Sequence, residues 1–275
     1  MRDWALAERP GTGRDALRQR VGELAKRLGT APLPRAERIL ATGHQPWLWH
    51  PGILAKDLAM HAAAEPAAAA PLHVVVDQDA RAALSLDLPD QAGEALGLKH
   101  LRLAPERPSI PTGFQPPVDP DTIRQTLSRA GQPKRLAPLV EAFADLPACT
   151  SLAEQLAVAL NRLKRPYTGE QPVLFVSDLP AMPAYQQLVE AMRQSARPCA
   201  LAYNRAVASH PEAGIAPLAI TREWVELPLW ACAWARPRAR VFADLTDEPA
   251  LLVTGDGTPI EPDVSLLPRA LTLSA

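Results

Sequence analysis

Arg38-Ile39-Leu40-Ala41-Thr42-Gly43-His44-Gln45-Pro46-Trp47-Leu48-Trp49-His50-Pro51-Gly52-Ile53-Leu54-Ala55-Lys56 and, further on, Leu72-His73-Val74-Val75-Val76-Asp77-Gln78-Asp79 decide the fold. Residues 38–42 read as a short buried strand, broken at Gly43. Pro51 stands where the first turn of a helix tolerates a missing N–H, so residues 53–64 read as a helix. The β-branched run Val74-Val75-Val76 suits a strand buried on both faces, spanning 72–76 and ending in Asp77-Gln78-Asp79. Strand, loop, helix and strand in this span have the βαβ spacing of a parallel sheet.

Working outward, Leu17, Val21, Leu24 and Leu28 follow the 3–4 spacing of an amphipathic helix over 14–29, which Gly29 ends. Pro66 and Pro71 bound the alanines at 67–70, which read as a short linker. Residues 103–120 are proline-rich and read as a loop, followed by helical patterns at 121–130, 135–146 and 151–164. Together 103–170 form a helical insertion. Gln171 to Ser177 is a third buried strand, with helices expected at 183–196 and 199–208. The part from 222 to 275 is strand-rich, with strands at 224–234, 240–243 and 251–254. Asp256-Gly257 supplies a tight turn before Thr258-Pro259-Ile260. The expected class is α/β, one domain over 1–275. The chain stops at Leu266-Leu267-Pro268-Arg269-Ala270-Leu271-Thr272-Leu273-Ser274-Ala275, which reads as an element beginning, so a C-terminal truncation is expected.

With 47% apolar and 21% charged residues, wholesale disorder is excluded. The net charge of −1 provides no long-range field for nucleic acid or anionic lipid. Cys149, Cys199 and Cys232 lie far apart with no CxxC pair, so reduced thiols in a cytoplasm are expected rather than a disulfide framework. The 30 prolines and the excess of arginine over lysine fit a genome biased toward Ala, Pro and Arg codons. The early charge of Met1-Arg2-Asp3-Trp4 with no apolar run behind it leads to the expectation of no signal peptide, and no apolar run is long enough to span a membrane.

Chemistry concentrates where the first strand hands over to a helix, at the sheet edge where ligands bind in open α/β folds. Gly43 and Gly52 allow close backbone approach, and the helix start after Pro51 favours an anion. His44 and His50 can bond a phosphate or act as acid or base, and Lys56 could reach the same anion. The other reading has Trp47 and Trp49 packing on the core and the histidines satisfying buried carbonyls. Asp77 and Asp79 could hold a hydroxyl, an amine or Mg²⁺, or they are ordinary caps and turn formers. No third ligand completes a zinc site with His44 and His50. Arg236-Pro237-Arg238-Ala239-Arg240 reads as a solvated turn, Trp224, Trp230 and Trp234 as core, and Cys199 and Cys232 carry no nucleophile signature.

At Thr42–Lys56 and Val74–Asp79 the chain resembles the bacillithiol synthase (cysteine-adding) family and its uncharacterised bacterial relatives. The likeness lies in a TGHQP glycine turn, an HPGxxxK helix entry and a strand ending in Asp-x-Asp. Tyr203-Asn204-Arg205, Glu226-Leu227-Pro228-Leu229-Trp230 and Pro268-Arg269-Ala270-Leu271-Thr272 resemble later signatures of those relatives. His44-Gln45-Pro46 and Lys56 are also similar to the WbqC-like family. The resemblance implies a Rossmann-like core of the HIGH nucleotidyltransferase kind, with ATP or another nucleotide, and Mg²⁺, as cofactor class. Gly43, Gln45, Gly52, Lys56, Asn204, Arg205 and Arg269 would then line the cofactor site, and His44, His50, Asp77 and Asp79 the reacting centre. Ile53 stands where that superfamily carries its second histidine, and no KMSKS-like loop is present.

These residues imply a ligase or transferase that joins an amine- or thiol-bearing small molecule to an acceptor in a nucleotide-shaped pocket. His44 and His50 would stabilise a phosphate or leaving oxygen, and Asp77 or Asp79 would orient the nucleophile. The alternative is a non-catalytic binding or scaffold relative, which Ile53 and the abrupt C-terminus favour. A third is a WbqC-like role in amino-sugar modification. The expected partner is a small molecule, with neither nucleic acid nor membrane, and self-association is left open.

Overall fold

The computed structural model describes residues 12–47, 51–80, 84–92, 95–103, 105, 107, 109–130, 133–247 and 249–269. Within them the chain is a mixed α/β protein. A three-stranded parallel sheet is flanked by helices, and the C-terminal part is strand-rich. Contacts group the chain into two compact units, Met1–Val176 and Ser177–Ala275, where the sequence reads as one domain. The physical reason is that each unit builds an apolar core of its own.

The first unit opens with α1 (Thr12–Leu28). Val21, Leu24, Ala25 and Leu28 form its buried stripe. The helix ends on Gly29, whose φ of +68° suits a residue without a Cβ and whose N–H donates to the Ala25 carbonyl at 2.9 Å. Then come β1 (Arg38–His44), α2 (Pro51–Ala64) and β2 (Ala69–Val75), with β1 and β2 parallel, as the βαβ spacing requires. Several boundaries differ from the sequence reading, two of them through the strand pairing. β1 runs through Gly43 to His44, because β2 supplies the register partners Val74 and Val75. β2 begins inside the alanine run expected as a linker, since Ala69 and Ala70 pair with Arg38 and Ile39.

Residues 85–102, to which the sequence reading assigns no element, form the antiparallel pair β3 (Ser85–Ala92) and β4 (Ala95–Arg102). Leu84 and Leu88 are buried and Leu86 partly so, the alternation of a strand with one face inward. Pro89 fits because a two-stranded sheet has only edge strands. A single 3₁₀ turn, Thr112–Phe114, follows in the expected loop, then α3 (Pro120–Ser128), α4 (Pro133–Ala142), α5 (Leu152–Thr168) and β5 (Val173–Phe175). Asp119 caps α3 by accepting from the Asp121 and Thr122 amides, and Ser151 caps α5 by accepting from the Glu154 amide. α5 is buried on nearly all sides over its first turns. Leu152, Leu156 and Ala159 join the core made with Phe143, Ile123 and Leu127. β5 pairs in parallel with β2, so the strand order is β1-β2-β5, with β2 central and no reversal of order among the described strands.

The second unit holds α6 (Pro183–Gln194), α7 (Ala196–Ser209), β6 (Trp224–Cys232), β7 (Ala239–Asp244), β8 (Leu251–Thr254) and β9 (Ser265–Pro268). The strands form one antiparallel sheet in the order β8-β7-β6-β9. In β6, Val225, Leu227, Leu229 and Ala231 alternate into the core. The tight turn is present: Gly257, at φ +85°, donates to the Thr254 carbonyl, and Val253 bridges to Pro259. Among the described residues no helix is long and apolar enough to cross a membrane.

Truncating a fully buried side chain costs its transfer free energy plus that of the cavity left behind. Phe143→Ala is therefore expected to lose about 3–5 kcal/mol in urea unfolding, and Leu227→Ala about 2–5 kcal/mol. A change below about 1 kcal/mol in either would contradict the packing described.

Candidate functional site

The parallel register sets the carboxyl ends of β1 and β2 side by side, with His44 opposite Val75. The segments that leave them, Gln45–Trp47 and Val76–Asp79, therefore start from the same edge. The Val76 N–H donates to the His44 carbonyl at 2.9 Å, carrying the pairing one residue past the strand. The Gln45 amide then donates to Asp79 Oδ2 at 3.2 Å, linking the two segments through side chains. His44 Nδ1 lies 3.0 Å from the Gln45 carbonyl oxygen. A carbonyl only accepts, so the proton sits on Nδ1 and the lone pair of the neutral ring on Nε2. The indole of Trp47 meets the His44 ring edge-on, centroids 5.9 Å apart, and also packs against the core around Phe143.

The two aspartates play different parts. Asp77 is 1% exposed, and its carbonyl accepts from the Gly113 N–H at 3.0 Å and from the Thr112 hydroxyl at 3.2 Å. A Cβ on Gly113 would lie 2.3 Å from Asp77 Oδ2, so only glycine allows this approach. Asp77 thus fastens the 3₁₀ turn to the sheet edge. Asp79 is half-buried, receives Gln45 on one oxygen and accepts from the Ala80 amide on the other.

Of the other residues singled out, Gly43 is an ordinary ladder residue of β1, paired with Val74. Gly52 lies in the first turn of α2, which carries no acidic residue, and Lys56 is exposed one turn on. His50 lies outside the described residues. Asn204, Arg205 and Arg269 belong to the second unit. There Asn204 donates to the Leu218 carbonyl at 2.9 Å and accepts the Leu218 N–H at 2.7 Å. Arg269 bonds Glu226 Oε1 at 2.6 Å and lies over the Trp230 ring at 5.3 Å, while Glu226 Oε2 accepts the Ala219 amide at 2.9 Å. Asn204 thus ties the segment 218–219 to α7, and Glu226, held by Arg269, ties it to β6. Arg205 is exposed.

The sequence reading missed the most charged part of the first unit's interior. Asp57 of α2 is fully buried and shared between His73 Nδ1, at 2.8 Å, and Lys164 Nζ of α5, at 2.6 Å. Burial pushes the Asp57 carboxyl up, but the His73 bond and charge and the Lys164 ammonium outweigh it and hold it below the ordinary carboxylate range. Burial and then the Lys164 charge hold His73 below the ordinary histidine range, against the pull of Asp57. Burial also lowers Lys164, with Asp57 opposing. One signal was legible: Asp57 and His61 recur one turn apart in an otherwise apolar stretch of α2.

Cys149 is pushed up to about 11, by burial and then by Glu154, so it stays a thiol at neutral pH. Among the described residues no group of three or more His, Cys, Asp or Glu side chains could hold a metal ion.

Two outcomes follow. Gly113→Ala is expected to cost about 1–3 kcal/mol by overpacking against Asp77, and less in an Asp77→Ala background; an equal cost in both backgrounds would contradict the contact. The folded His73 holds its proton more weakly than the unfolded chain, whose value is ~6.5, so its contribution is whole above pH ~6.5 and is lost as pH falls. Urea midpoints should therefore drop from pH 7.5 to 5, and drop less in His73→Gln. A flat profile in the wild type would refute this.

No protein-family model matches the chain, and no curated protein matches it in sequence.

Proposed function

We propose that the carboxyl edge of the parallel sheet binds a small polar molecule, and that the chain is a ligase or transferase of small-molecule biosynthesis resembling bacillithiol synthase. The observation that carries the reading is the Gln45–Asp79 hydrogen bond beside His44, which gathers an amide, a carboxylate and an imidazole at one strand edge. Asp79 is the carboxylate to orient an amine or thiol nucleophile, because it is half-buried at the edge while Asp77 is 1% exposed with Gly113 packed against its carboxylate. His44 Nε2 is the basic atom that takes up a proton, and once protonated it would donate to a phosphate oxygen. The parallel β1–α2–β2 unit supports a Rossmann-like reading of the first unit, with ATP or another nucleotide as the ligand class. Cysteines that form no disulfide among the described residues suit work in a reducing cytoplasm.

A non-catalytic binding or scaffold role is favoured by a different observation. Asp77, Asn204 and Arg269 all make bonds that hold their own units together.

A thermal-shift screen against ATP, AMP, CTP, cysteine and amino-sugar phosphates, with and without Mg²⁺, separates the two. Saturation at 100 times Kd adds about 2.7 kcal/mol, a shift of several degrees. The enzyme reading expects such a shift for at least one compound, lost in His44→Ala and Asp79→Asn. A cooperative melt that none of the compounds moves would overturn it in favour of the scaffold.

A further inference from the structure

Behind the Asp57 cluster lies a small cavity lined by Pro46, His73, Leu160, Asn161, Lys164 and Gln171, among others. It leaves about 10 Å³ of room for the centre of a water-sized sphere. A single water needs about 10–15 Å³ by this measure, so the space sits at the lower bound for one molecule and is too small for two.

The lining sets four polar side chains, His73, Asn161, Lys164 and Gln171, among apolar ones such as Val75, Leu160 and Val173. Gln171 is fully buried, and its Oε1 has no hydrogen-bond partner. Its Nε2 is 3.1 Å from His61 Nε2 and donates to it when the His61 proton is on Nδ1. Turning the amide over would aim its two N–H donors into a cavity that already holds an ammonium donor. Asn161 cannot satisfy Oε1, because its own amide is spent on the Gln171 backbone: Nδ2 donates to the carbonyl at 3.1 Å and Oδ1 accepts the N–H at 3.2 Å. Lys164 Nζ carries three donors and spends one on Asp57. The Nδ1 edge of His73 is taken by Asp57, which is not part of the lining, so the remainder of the ring faces the cavity.

Charge selects the occupant. The Asp57 carboxylate and the Lys164 ammonium, 2.6 Å apart, cancel, so neither a chloride nor an ammonium ion gains from entering. What is missing is a neutral group that accepts from an ammonium and donates to a carbonyl oxygen. We propose that this cavity is a binding site for one ordered water molecule, which accepts from Lys164 Nζ and donates to Gln171 Oε1. The water joins the Asp57 cluster of α2, β2 and α5 to the residue that leads into β5.

A crystal structure at about 1.5 Å resolution tests this directly. The expected result is one isolated peak within about 2.7–3.2 Å of both Lys164 Nζ and Gln171 Oε1. Oxygen-17 relaxation dispersion, which counts long-lived internal waters, should lose one water in Gln171→Met. An empty cavity, a Gln171 Oε1 turned directly onto Lys164 Nζ, or a peak that acquires an anomalous bromide signal in bromide-soaked crystals would each overturn the proposal. Should Gln171→Met fail to fold, the wild-type density alone decides between these outcomes.

Discussion

A fully buried carboxylate is the constraint around which the first unit is organised. Asp57 has no access to solvent, and its two oxygens are claimed by His73 from the central strand and by Lys164 from the buried helix α5. A charge taken out of water is tolerable only when paired and hydrogen-bonded, and breaking such a pair costs about 3–5 kcal/mol. The neighbouring elements α2 and β2 and the distant helix α5 are thereby held to one arrangement. The partner residues are polar, so they specify geometry where interchangeable aliphatic contacts would not. A second charged link works at the other end of α5, where Arg27 of α1 clasps Glu154 with bonds of 2.5 and 2.7 Å. Burial raises Glu154, but Arg27 and the Thr150 bonds outweigh it and keep the carboxylate ionised.

The polar residues at the strand edge divide into those that build the edge and those that could act on a ligand. Asp77 belongs to the first kind. Its contact with Gly113 and its carbonyl bonds to the 3₁₀ turn lead directly into α5, since the Leu152 N–H donates to the Gln115 carbonyl at 2.9 Å. Asp79, Gln45 and His44 belong to the second kind, being half-buried and bonded to one another or to adjoining backbone. A carboxylate two residues further along the same loop thus has a different chemical future, decided by whether a backbone segment closes over it.

The second unit shows the same division. Glu226 is buried in the middle of a strand whose neighbours alternate into an apolar core, which would be unfavourable alone. Arg269 and the Ala219 amide occupy its two oxygens, and Arg238 and Arg269 lie over the Trp230 ring at 4.4 and 5.3 Å. The motif Glu226-Leu227-Pro228-Leu229-Trp230 and the later Pro268-Arg269 are thus two halves of one structural contact.

Local pattern was legible from the sequence alone. The 3–4 spacing of α1, the β-branched run of β2 and the Asp256-Gly257 turn each follow from the backbone geometry of a single element. The His-Gln-Pro turn and the Asp-x-Asp were legible as neighbours because a parallel βαβ unit fixes which strand ends coincide. Tertiary structure alone decided what depends on elements meeting. It drew Lys164 to Asp57 across more than a hundred residues, closed Gly113 over Asp77, and tied Arg269 to Glu226. It also extended β1 through Gly43 and drew alanines into β2, because a strand's ends are set by its partner's register and not by its own residues. Propensity describes a residue's preference in isolation, whereas a buried charge or a glycine contact takes its meaning from the group packed against it.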